Sequence, residues 1–249
     1  MHDLLILVLS AFLAGVLNTV AGGGTFLTFP ALVYAGLPPV SANATSAVAV
    51  FPGYLAGAVG FRQELRALDR GLLLRAGGAT LVGGLAGSLL LLVSSNEAFA
   101  VVVPFLLAFA TLAFAFGGRI QAWASGHSAL SLDNPIGTVV VAVYGGYFNG
   151  GLGIVLLALF ALQGMRDIDQ MNGLKNGLSF LLSAISVVIF ALAGLVAWPQ
   201  AALMMVAATV GGYAGAPLAR ALPRPVMRGL VILVGTTMSI VFFARLLGR

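Results

Sequence analysis

Lys175 follows Asp169 by six residues inside a long apolar stretch. On a helix that is about 9 Å along the axis. Asn172, Asn176 and Ser179 flank it on neighbouring turns. An ammonium group set among amides and a hydroxyl on an inward helix face is equipped to hold a small anion. Each of these groups can donate a hydrogen bond to an acceptor-only ligand. The competing reading is that Lys175 snorkels along its own stem to the membrane surface. Asn43, Thr45 and Ser46 occupy the corresponding start of an earlier apolar segment. Their hydroxyls suit an oxyanion, although bonds to the preceding helical turn or a neighbouring helix account for them equally.

Two glycine runs add a second kind of donor. The first is Asn18 followed by Ala21-Gly22-Gly23-Gly24-Thr25, and the second is Asn149-Gly150-Gly151-Leu152-Gly153. Consecutive glycines make a poor helix interior. A helix broken inside a membrane protein leaves N–H groups and a positive dipole end exposed. That end attracts anions, and glycine admits a ligand close to the backbone. Tight helix packing is the plainer use of the same residues. The expected substrate-binding set is therefore Asn18, Gly22, Gly23, Gly24 and Thr25, then Asn43, Thr45 and Ser46, with Asn149, Gly150, Gly151, Gly153, Asn172, Lys175 and Asn176 from the second half.

Other chemistries lack their residues. The chain has no cysteine, which excludes disulfides, thiolate metal sites and thiol nucleophiles. Its seven carboxylates, Asp3, Glu64, Asp69, Glu97, Asp133, Asp167 and Asp169, all fall at segment ends or in loops. None sits mid-segment, where a proton relay or cation site needs one. His2 and His127 lie at the terminus and in a linker. The triple glycine lacks the strand and lysine of a phosphate-binding loop. No metal, cofactor, nucleic-acid partner or enzymatic reaction is expected.

The elements that must position these groups are transmembrane. Of 249 residues, 60% are hydrophobic and 8% charged, which places the chain in a bilayer as a single polytopic domain. Eight apolar segments run over roughly 3–35, 41–61, 71–93, 98–117, 135–163, 170–197, 200–219 and 226–247. They read as helices, because only helices or closed barrels satisfy the backbone in lipid and no strand-like alternation appears. Ser41 and Asp169 are N-cap candidates, and prolines 135, 199 and 225 stand near helix starts. The start, Leu4 to Leu17, is read as a retained membrane segment, since Met1-His2-Asp3 carries no Lys or Arg.

The chain also repeats itself. A shift of 128 residues lays Gly22-Gly23 on Gly150-Gly151, Gly36 on Gly164, and Gly83-Gly84 on Gly211-Gly212. Residues 1–117 and 135–249 then form two copies joined by a linker at 118–134. Segments one and five carry the glycine runs, and each is either one kinked crossing or two short helices folded back. If all eight segments cross, the positive charges divide seven to five between the two sides. If segments one and five fold back, ten of the twelve share one side, leaving only Arg245 and Arg249 opposite. The second arrangement obeys the positive-inside rule and gives the copies opposite orientation. The expected fold is all-α, with two inverted repeats, each a broken re-entrant hairpin plus three crossings. Such a repeat is the usual frame of a secondary transporter, whose substrate site lies where the halves meet.

The run Leu17-Asn18-Thr19-Val20-Ala21-Gly22-Gly23-Gly24-Thr25 to Pro30, with Gly36-Leu37-Pro38-Pro39 and Ala42-Asn43-Ala44-Thr45-Ser46, resembles the TauE/SafE-type sulfite exporter family. The second half resembles the family's companion motif in its glycines 150, 151 and 153 and in Asn172-Gly173-Leu174-Lys175-Asn176, but Leu152 interrupts the glycine run. The resemblance implies a multi-pass protein of the bacterial inner membrane exporting sulfite or a small organosulfonate. An importer or channel for another small anion, and a non-transporting membrane scaffold, stand as the other readings.

Overall fold

A computed structural model describes residues 2–20, 23–126, 134–221 and 224–247. Every regular element among them is helical: α1 (His2–Val20), α2 (Thr25–Tyr34), α3 (Pro39–Gly60), α4 (Arg62–Ala67), α5 (Arg70–Val93), α6 (Asn96–Gly126), α7 (Ile136–Tyr147), α8 (Leu152–Leu162), α9 (Ile168–Leu192), α10 (Trp198–Ala221) and α11 (Arg224–Leu247). α5, α9 and the stretch Asn96–Ala113 of α6 are long and apolar enough to cross a bilayer. α6 continues past Gly117 to Gly126, and α4 is a polar helical turn that hydrophobicity does not signal.

Helix starts differ from the expected caps. Asp167, not Asp169, caps α9, its Oδ1 accepting the N–H groups of Asp169 and Gln170 at 2.9 and 3.1 Å. Ser41 lies inside α3, which opens at Pro39, because a proline supplies the fixed φ of a first turn. Asp69 caps α5 through the Leu72 N–H.

Both glycine runs end one helix and begin another. α7 and α8, of 12 and 11 residues, are about 18 and 16 Å long, well short of a roughly 30 Å hydrocarbon core. They fold back on each other. A Cβ on Gly145 would stand 2.8 Å from Leu152 Cδ1, and one on Gly137 2.7 Å from Leu159 Cδ1. The first run behaves alike. Gly24 lies against the Ala14 carbonyl, ten residues back, where a continued helix would have carried it about 15 Å away. The turns need left-handed backbone at Gly23 (φ 103°), Asn149 (φ 59°) and Gly151 (φ 70°).

The long helices pack around these hairpins. α1 lies along α10 and α5 along α7, the two most extensive helix pairs. Glycine lets the backbones approach: a Cβ on Gly87 would stand 2.1 Å from the Val143 carbonyl oxygen, and one on Gly211 2.0 Å from that of Phe12. α3 runs antiparallel to α9, with Phe51 stacked on Phe180, Gly57 against Asn176 and Phe61 against Gly173. α6 runs antiparallel to α11 through Phe105–Phe243 and Thr111–Gly235. α5 and α9 run parallel, Gly77 meeting Leu181 and Ser88 meeting Ser186.

These directions gather α4, the starts of α5 and α9, and Arg62, Arg66, Arg70 and Arg166 at one end. The starts of α3, α6 and α10 meet at the other, where Asn96 Oδ1 accepts the Val40 N–H and Thr45 Oγ1 accepts the Ala197 N–H. In the core, Phe29 of α2 packs edge-on against Phe99 and against Phe148 beside the second glycine run, and stacks on Phe242. The two hairpins thus meet inside the bundle.

Candidate functional site

Between α1, α3 and α10 lies a cleft of about 620 Å³, with Asn176 of α9 in its wall. Its lining runs from Asn18, at the first helix break, to Gly60 and Phe61, at the basic end of α3. Most of the surface is apolar, and Asn18, Tyr54, Asn176, Thr209 and Tyr213 supply the polar side chains. Apolar walls with a few polar groups are the usual make-up of a small-ligand site.

Tyr54 ties this cleft to the second break. Its hydroxyl donates to Asn149 Oδ1 at 3.3 Å. Asn149 is left-handed and buried, in the turn between α7 and α8. Tyr144 donates to the Gly150 carbonyl, and Asn43 Nδ2 donates to the Tyr147 carbonyl at 2.9 Å. The second break is thus held from α3 at two points. The first break is held by Asn18, whose Oδ1 accepts the Gly24 N–H at 2.8 Å.

Of the expected binding residues, the cleft brings together only Asn18 and Asn176. Gly22 lies outside the described residues. Gly23, Gly24 and Thr25 form the buried start of α2, and Thr25 Oγ1 has no partner among the described residues. Gly150, Gly151 and Gly153 are buried at the start of α8. Two break amides are already engaged, Gly24 with Asn18 and Gly150 with the Phe148 carbonyl. Thr45 and Ser46 are also occupied: Thr45 accepts the Ala197 N–H, and Ser46 pairs with Thr28 at 2.6 Å. Both are fully buried, and both join α3 to a neighbouring segment.

Lys175 stands apart. It is 7% exposed, and its Nζ donates to Asn172 Oδ1 at 3.0 Å, its sole hydrogen-bond partner among the described residues. Asn172 is half-buried, while Asn176 on the next position turns towards Gly57 of α3. No Asp or Glu among the described residues is buried as Lys175 is. Sequence reasoning passed over Tyr54, Thr209 and Tyr213; for Tyr54 the available signal was a phenol just after Pro52-Gly53 in an apolar helix.

A helical bundle with several membrane-crossing helices, two broken hairpins and a largely apolar cleft carrying a few polar groups defines a multi-pass membrane transporter. The chain belongs to the sulfite exporter TauE/SafE family, which it matches over residues 7–242. It is 27% identical over 239 residues to the probable membrane transporter protein YfcA of Escherichia coli K12, covering 92% of this chain and 85% of that one. A probable membrane transporter protein of Haemophilus influenzae is 26% identical over 242 residues, covering 95% of this chain and 93% of that one. The probable membrane transporter protein ORF9 of a Sinorhizobium species is 25% identical over 249 residues, covering 96% and 92%. No solved structure matches the chain.

Proposed function

We propose that this protein exports a small sulfur-containing anion, sulfite or an organosulfonate, by electrogenic uniport across the bacterial cytoplasmic membrane. One observation carries the reading: Lys175 is a buried cation whose hydrogen-bond partner is a neutral amide. An uncompensated buried charge costs several kcal/mol, so an anion arriving from outside is the natural counter-charge. Asn18 and Asn176 receive that anion in the cleft, and Lys175, adjacent to Asn176 on α9, balances its charge. All are hydrogen-bond donors, and a sulfur oxyanion offers only acceptors.

The frame is a pair of inverted repeats, residues 1–117 and 135–249, with each hairpin re-entrant. Several observations support this. The matched helices α3 and α9 run antiparallel, as do α6 and α11. Left-handed glycines recur at the 128-residue spacing, Gly23 with Gly151 and Gly36 with Gly164. Packing of α1 on α10 mirrors that of α7 on α5. The basic end is cytoplasmic by the positive-inside rule, and the cleft runs towards it.

Uniport is favoured because every described Asp and Glu lies at a helix end or in the short α4, Glu64 with one buried oxygen included, and none lies midway along a long helix. An inside-negative potential drives an anion outward by about 2.3 kcal/mol per charge per 100 mV. The test is sulfite flux in proteoliposomes under an imposed potassium-diffusion potential, without pH or sodium gradients. Flux should follow voltage. Flux that ignores voltage and needs a proton gradient overturns uniport, and absence of any small-anion flux overturns transport by this chain.

A further inference from the structure

Among the described residues, six hydroxyls on helices or at a helix end turn back on their own backbone. Thr28, Ser94, Thr111, Ser186, Thr209 and Ser239 each donate to the carbonyl four residues earlier, over 2.7–3.3 Å. That bond is open to any serine or threonine inside a helix. Thr80 on α5 and Ser179 and Ser183 on α9 do not make it. They are 2%, 1% and 0% exposed, and their Oγ atoms have no partner among the described residues. A buried polar atom left unpaired is destabilising, and three within one helix pair call for a reason.

Their placement supplies one. Residues 175, 179 and 183 are spaced by four, so Lys175, Ser179 and Ser183 share one face of α9. The spacing is about 6 Å per step along the axis. The row closes at Ser186, which bonds Ser88 at 2.7 Å and its own Leu182 carbonyl. Thr80 lies between Gly77 and Gly84, the points where α5 meets Leu181, Leu182 and Ile185 of α9. Ser179 and Ser183 therefore sit along α9 beyond Lys175, away from the basic end.

We propose that Ser179 and Ser183 form a second oxyanion station that the transported anion reaches after Lys175. This rests on the reading of Lys175 given above and adds where the anion goes next. Neutral hydroxyls bind an anion more weakly than an ammonium group does. A weak station following a strong one suits passage, which needs binding firm enough to enter and loose enough to leave.

The experiment uses the full chain in proteoliposomes with radiolabelled sulfite, and compares Ser179→Ala/Ser183→Ala, Ser186→Ala and Lys175→Ala. The double variant should bind sulfite within about twofold of wild type and melt no lower, because alanine removes unmade hydrogen bonds. Its maximal flux should fall at least tenfold. Ser186→Ala, which breaks bonds that do exist, should lower the melting temperature and leave flux within twofold. If the double variant fails to fold, the single changes are read instead, with a threefold or greater loss of flux expected from each. Flux within twofold of wild type overturns the second station, and so does a binding loss as large as that of Lys175→Ala, which would merge the two stations into one. Should Lys175→Ala bind sulfite normally, the Lys175 reading itself falls. Should Lys175→Ala lose binding while the serine variants transport normally, the second station alone falls.

Discussion

Replacing Lys175 with methionine should move ligand binding and stability in opposite directions. The ammonium group has three N–H donors, and one goes to Asn172 at 3.0 Å. Two remain for a bound anion. A hydrogen bond to a charged group contributes roughly 1.5–3 kcal/mol, so losing even one weakens binding by about 10- to 150-fold. The unliganded protein responds differently. Lys175 is 7% exposed beside Leu174 and Leu178, which are 2% and 3% exposed, and methionine fills a similar volume without a charge to desolvate. Melting of the unliganded variant should therefore be unchanged or higher. Sulfite at a hundredfold excess over Kd stabilises a binding-competent protein by about 2.7 kcal/mol, and the variant should lose that shift. Equilibrium binding of labelled sulfite and thermal melting in detergent, run side by side, read both quantities. Sulfite binding within twofold of wild type, or a melting temperature several degrees lower, would refute the reasoning.

Three further outcomes follow from the packing and the charge distribution. In a chain without native cysteine, single cysteines at 66 and 224 should resist a membrane-impermeant thiol reagent applied to cells, and those at 96 and 198 should label; the reverse pattern overturns the orientation. Gly87→Ala should destabilise by about 1–3 kcal/mol, because its methyl would stand 2.1 Å from the Val143 carbonyl oxygen. Gly78→Ala, with nothing within 4 Å, should be neutral or gain up to about 1 kcal/mol of helix propensity, and thermal melting separates the two. Tyr54→Phe removes one hydroxyl bond to Asn149, worth about 0.5–1.5 kcal/mol of stability, so thermal melting should fall by a few degrees without a change in overall fold.

Hydrophobic runs and prolines made the long helices legible in the sequence, because burial in lipid leaves the backbone no other option. The glycine runs signalled a break but left open a kinked crossing or a hairpin. Contacts of Gly137 with Leu159 and Gly24 with Ala14 decide that point, and such pairings depend on tertiary packing. α4 went unseen because Arg62-Gln63-Glu64-Leu65-Arg66-Ala67 carries no apolar period; it is held by Leu65 against Gly173 and Gly177 of α9. The site was legible in type more than in geometry. Thr45 and Ser46 had the right chemistry for an anion, yet their bonds go to Ala197 and Thr28, partners that no local pattern announces.

The repeat itself argues that the site is single. At the 128-residue spacing, the glycines that shape the frame recur, as Gly23 with Gly151 and Gly83 with Gly211. The polar row of α9 does not. Asn172, Lys175, Ser179, Ser183 and Ser186 correspond to Ala44, Ala47, Phe51, Leu55 and Ala58 of α3. A second lysine at position 47 would bury another like charge in the core, where Ala47 is 5% exposed, and each uncompensated ion costs several kcal/mol. One small anion balances only one such charge comfortably. The polar residues at the start of α3 have gone instead to cohesion: Asn43 to the Tyr147 carbonyl, Thr45 to Ala197, and Ser46 to Thr28. Unspent donors remain at Lys175 Nζ, Ser179 Oγ and Ser183 Oγ on one face of α9, and singly at Thr25 Oγ1 and Thr80 Oγ1 of the first half. On the proposed reading, the frame in which the two breaks meet recurs at the 128-residue spacing, whereas the row on α9 proposed to hold the anion has no counterpart on α3.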